Sequence, residues 1–119
     1  MTRKILTGLF ILFAINAKAQ SCKDLPGEFK HSSKAIKAIR KAKFSLTDQI
    51  TEGSNATLIT GQYFSCDGKF GYFIFIDDKG KEFVYEKVPG SIWLEFKETD
   101  KKNSFYQNSI MRNYYLVPR

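Results

Sequence analysis

The segment Phe70-Gly71-Tyr72-Phe73-Ile74-Phe75-Ile76 constrains this chain more than any other. It is bounded by Asp67-Gly68 on one side and Asp77-Asp78-Lys79-Gly80 on the other. Asp-Gly and Lys-Gly reversals suit tight turns, because glycine takes positive φ without steric cost and aspartate caps its own turn. The space between two such turns fits a strand and is short for a helix. Side chains alternate across a strand, so Tyr72, Ile74 and Ile76 share one face and Phe73 and Phe75 the other. Both faces are apolar. The strand therefore belongs at the centre of a sheet, covered on both sides or with one aromatic face held out to a partner.

The flanking segments supply its neighbours. Thr57 to Ser65 and Lys81 to Val88 read as strands, giving a three-stranded antiparallel meander. In the third strand Phe83 and Tyr85 share a face, and Val84, Glu86 and Val88 share the opposite one. Pro89 ends the sheet and can open a helix, in which Ile92, Trp93 and Phe96 form an apolar stripe to lie on the sheet. Asp100 to Asn103 is a polar break. Phe105, Tyr106, Ile110 and Met111 then predict a last short helix, and Tyr114 to Val117 an extended tail. Upstream, Ala35, Ile36, Ile39 and Ala42 recur at helical spacing, with Lys34, Lys37, Arg40 and Lys41 mostly off that stripe and Ser32 or Ser33 as N-cap. Residues 20–31 read as an irregular lead-in and residues 44–56 as a loop. The expected class is α+β: the meander, one or two short helices after it, and a basic amphipathic helix before it. No repeat or low-complexity tract is visible.

The N-terminus has a different character. Arg3 and Lys4 precede an uncharged run from Ile5 to Ile15, followed by Ala17-Lys18-Ala19. This is the pattern of a secretory signal peptide, with cleavage between Ala19 and Gln20. The run is too short for a membrane-spanning helix, which needs about 20 residues. A buried helix and a lipoprotein signal acylated at Cys22 are the competing readings. Ala19, Gln20 and Ser21 match the lipoprotein pattern poorly. The expected organisation is a signal peptide over 1–19, an extension with the basic helix over 20–53, and a folded domain over 54–119. The expected location is periplasmic or secreted.

Export alters the charge and the cysteine chemistry. The chain carries 19 Lys+Arg and 12 Asp+Glu, a net +7. Removal of Arg3, Lys4 and Lys18 leaves sixteen basic residues against twelve acidic ones, a net +4. Two cysteines, Cys22 and Cys66, remain in an oxidising compartment, which points to one disulfide rather than two free thiols. Closing that loop stabilises by about 3–4 kcal/mol on chain-entropy grounds. One histidine and two cysteines do not make an ordinary zinc site. Eleven Phe and six Tyr supply ample material for a packed core.

The residue order also resembles a known family. Phe83-Val84-Tyr85-Glu86-Lys87-Val88-Pro89 after two hairpins, then a helix, then Ser104-Phe105-Tyr106-Gln107-Asn108-Ser109-Ile110, is similar to the KTSC domain. That small domain occurs at the C-terminus of some lysyl-tRNA synthetases and alone in bacterial proteins. The resemblance covers roughly residues 54–113. The family's Tyr-x-Tyr before Val-Pro appears here as Phe83-Val84-Tyr85, and its later Tyr-Phe-Asn-x-x-Ile has Gln107 in place of Asn. The resemblance implies a fold. RNA binding has been suggested for the family, which has no settled activity.

Few residues invite catalysis. His31 is the one histidine and sits in a basic stretch beside Lys30 and Lys34. Asp77 and Asp78 are explained by their turn. The glycines do not form a phosphate-binding loop before a helix. The candidate binding residues are Lys34, Lys37, Arg40 and Lys41, which can meet phosphates or another anionic surface. Phe73, Phe75, Phe83 and Tyr85 are aromatic side chains that can stack bases if the sheet is open. The expected function is a non-enzymatic exported interaction module, without cofactor or metal, binding a protein or an anionic envelope polymer. The alternatives are a nucleic-acid-binding module and a hydrolase with an unrecognised site.

Overall fold

The computed structural model describes residues 21–53 and 58–119. The segment expected as a signal peptide and its expected cleavage positions Ala19 and Gln20 lie outside the described residues. The chain is α+β, with a five-stranded antiparallel sheet in the order β1-β2-β3-β4-β5. A 3-10 turn at Cys22–Asp24 leads to α1 (Ser32–Lys41) and then to β1 (Leu46–Glu52), β2 (Ile59–Ser65), β3 (Phe70–Ile76) and β4 (Glu82–Pro89). Helix α2 (Gly90–Glu98) follows, then α3 (Lys102–Phe105), which runs into a π turn at Tyr106–Ile110, and last β5 (Tyr115–Leu116).

The central placement of Phe70–Ile76 follows from its two apolar faces. Phe73 and Phe75 pack with Tyr63, Tyr85, Trp93, Phe96, Tyr106 and Ile110 beneath α2 and α3. Ile74 packs with Phe64, Val84, Val117 and the buried face of α1 on the other side. Both hairpin turns form as their aspartates require: Asp67 Oδ1 accepts from the Lys69 and Phe70 amides, and Asp77 Oδ1 from those of Lys79 and Lys81. Gly68 and Gly80 take φ of 80° and 82°.

Three features differ from the sequence reading. The meander has two further strands. Residues 46–52, expected as loop, pair with β2 along their whole length, and the tail closes the other edge as β5. Strand β1 carries little apolar signal because it is an edge. Of its residues Ile50 reaches the core, while Gln49 and Thr51 hydrogen-bond to their cross-strand partners Gln62 and Thr60. The second difference is at Val88. Gly71 pairs with Val88 and Phe73 with Tyr85, so Tyr72 stands opposite both Glu86 and Lys87. Lys87 takes φ 55° in this bulge. The extra residue turns Val88 to the face of Tyr85, away from Val84 and Glu86. Third, neither Ser32 nor Ser33 caps α1. The N-cap is His31, without a side-chain cap bond, and the Ser32 amide donates instead to Pro118 O at 2.7 Å.

The sequence places Cys22 and Cys66 far apart, and the fold brings them together. Their Cα atoms lie 5.8 Å apart and the sulfurs are bonded. Cys22 N also donates to Lys43 O, so the disulfide fixes the chain entering α1 to the end of β2. Among the described residues no helix is long and apolar enough to cross a membrane.

Candidate binding surfaces

The basic helix is positioned by its apolar stripe. Ala35, Ile36 and Ile39 are buried against the sheet together with Ser32. At 100° per residue, Lys34, Lys37 and Lys41 then lie nearly opposite, and all three are exposed. Among the described residues no acidic side chain pairs with any of them. Arg40 sits on the flank of the helix and is engaged: its Nη2 donates to Glu82 Oε2 and Gln62 Oε1, both at 2.7 Å. It belongs to the contact between α1 and the sheet. Arg40 and Lys41 in the last turn complement the negative end of the helix dipole.

Phe83 and Tyr85 lie on the opposite side of the sheet from this helix. They do not form one surface with the lysines. Tyr85 is 1% exposed and cannot present its ring to a base, and Phe73 and Phe75 are equally covered. Phe83 is half-buried, with the Arg119 guanidinium over its ring at 5.5 Å.

What covers Tyr85 is Tyr106, a residue expected on a helix stripe and not named as a candidate binding residue. The π turn closes with the Met111 amide donating to Tyr106 O at 2.8 Å. It sets the Tyr106 ring flat on Phe75, with centroids 3.7 Å apart, and edge-on to Tyr85. The two phenol oxygens are 2.5 Å apart. Burial pushes both phenols above the ordinary tyrosine range, Tyr106 far above it. The extra residue of the π turn also rotates Met111 out of the core, where it is exposed beside Leu116. Between these side chains, Phe75 and Phe83 lies a cavity of about 290 Å³, with Asp77, Asn103 and Gln107 among its lining residues.

Two other buried polar groups have structural partners. Lys102 donates to Lys97 O and Thr99 O and pairs with Glu52 at 3.1 Å. Glu86 accepts from the Phe29 amide at 3.2 Å, and burial raises its pKa. On β1, Asp48 accepts from both Lys97 Nζ and Trp93 Nε1, at 2.7 and 2.9 Å. His31 is exposed at the start of α1. Among the described residues no group of three or more His, Cys, Asp or Glu is placed to hold a metal ion. Comparison with known proteins finds no matching family, no similar curated protein and no similar solved structure.

Proposed function

We propose that the protein is an exported, non-enzymatic interaction module that uses the lysine face of α1 to hold an anionic envelope polymer. The observation that carries this reading is the stripe of Lys34, Lys37 and Lys41, exposed and without acidic partners among the described residues. A cationic stripe on a rigid helix attracts a polyanion by releasing its counterions, without a shaped pocket. Export is supported by the N-terminal pattern and by the disulfide, which suits an oxidising compartment. The KTSC-like reading of residues 54–113 is kept as part of the proposal. Its two motifs meet in space, since Tyr85 and Tyr106 come from one motif each.

Polyphosphate binding, followed by fluorescence anisotropy across a salt series, tests the proposal. With three lysines engaged, log K falls with log[salt] at a slope of about 2. The variant Lys34→Gln/Lys37→Gln/Lys41→Gln loses most of the affinity, and Arg40→Gln loses little. Absence of binding at low salt sinks the reading. Tight binding to an oligoribonucleotide with a clear preference over polyphosphate replaces it with the nucleic-acid alternative, which draws on the same lysines.

A further inference from the structure

We infer that the cavity between β3, β4, the π turn and β5 is a binding site for a small neutral aromatic molecule carrying one hydrogen-bond acceptor, independent of the lysine face. The cavity of about 290 Å³ lies at the lower end of the range for small-molecule sites and suits a single ring with a short substituent. Its apolar walls are Phe75, Phe83, Met111 and Leu116, and its polar centre is the Tyr85–Tyr106 pair. Met111 and Leu116, both exposed, stand at the mouth. A flexible thioether there can adapt to an entering ring.

The hydroxyl pair sets the specificity. Each phenol has one proton, and the bond between the two oxygens uses one of them. Whichever tyrosine donates, the other keeps an O–H that no second acceptor among the described residues takes. Both phenols line the cavity, and their side chains are nine-tenths or more buried. A donor left over in a mostly apolar cavity favours an occupant that accepts from it. Asp77 also lines the cavity and repels a carboxylate, so the fitting acceptor is an uncharged carbonyl.

The test compares acetophenone with ethylbenzene, which match in size and differ in the carbonyl. Each is titrated into the protein and followed by amide chemical shifts. Acetophenone is expected to bind about fivefold to tenfold more tightly, as one hydrogen bond provides, with shifts centred on Phe83, Met111 and Leu116. The variant Tyr85→Phe/Tyr106→Phe removes both partners of the buried bond without changing shape, a change close to neutral for folding. It is expected to bind the two probes equally. Met111→Trp, at the exposed mouth, is expected to block both. The inference is overturned if neither probe binds, if the shifts map to another surface, or if the carbonyl preference survives in the double variant. It also fails if Met111→Trp leaves both affinities unchanged.

Discussion

Asp48 sits on an edge strand where Lys97 and Trp93 both donate to one oxygen, and the Lys97 bond holds its pKa below the ordinary 3.8. Its ionised form is favoured in the folded state. Its stabilisation is therefore present above pH 3.8 and is lost as pH falls through the depressed folded value. Glu86 is 6% exposed, and burial raises its pKa above the ordinary 4.5 despite the Phe29 amide. Its contribution is present below pH 4.5 and is lost as pH rises through the raised folded value. Thermal melts from about pH 3 to about pH 8 separate the two. Asp48→Asn is expected to shrink the loss on the acid side. Glu86→Gln is expected to shrink the loss on the neutral side, and an unchanged neutral-side profile in that variant contradicts the assignment. Gly61 illustrates a steric requirement at the same scale: a Cβ there would stand 2.6 Å from the Phe96 ring, so α2 reaches the sheet only over a glycine.

At the scale of elements, the joint between α2 and α3 depends on one buried lysine. Lys102 is 5% exposed, begins α3, and returns its ammonium to the carbonyls that close α2. These carbonyls lack partners within the helix, and the positive charge also complements the dipole. The Phe96 ring lies 5.7 Å from the same ammonium, and Glu52 of β1 neutralises it. Lys102→Met keeps the length of the stem and removes the donors. We expect a loss of about 2 kcal/mol in urea denaturation, the scale of hydrogen bonds to a charged group. A change near zero would mean that water replaces the lysine without cost. The elements themselves were unevenly legible. Strand β3 has the boundaries its turns dictate, and α1 and α2 follow their apolar stripes. The sequence hides β1, because an edge strand buries little and its pairing energy lies in polar cross-strand contacts. The π turn is hidden for another reason: Phe105 to Met111 fits an α-helical stripe, and only packing against Phe75 and Tyr85 selects the wider turn.

At the scale of the molecule, the disulfide joins the lead-in to the sheet across 44 residues. The loop it closes contains α1 and β1, which contribute the lysine face and one sheet edge. Replacing both cysteines, Cys22→Ser/Cys66→Ser, is expected to cost about 3–4 kcal/mol in denaturant unfolding. Alkylation of the native chain is expected to label neither cysteine before reduction and both after it. A native chain that labels freely at Cys22 would remove the disulfide as support for the proposed export. The two candidate surfaces also separate only at this scale. The lysines and the Phe83–Tyr85 strand lie on opposite sides of the sheet, so they serve different ligands or one serves none.

The central strand, its two turns, the faces of Phe73 and Ile74, and the lysine stripe opposite Ala35, Ile36 and Ile39 are all written in the order of residues. These follow from local rules of period and turn chemistry, which act within a few residues. The folded chain settles what those rules cannot reach. It chose the partner of the polar β1 segment, turned Val88 across the sheet through a bulge at Lys87, and brought Cys22 to Cys66. It engaged Arg40 with Glu82 and left Lys34, Lys37 and Lys41 open. It also set Tyr106 on Tyr85, where two phenols share one bond and leave one proton for the cavity. Each of these depends on which distant side chain fills the remaining space, and that choice is made by packing and hydrogen-bond satisfaction across the whole domain.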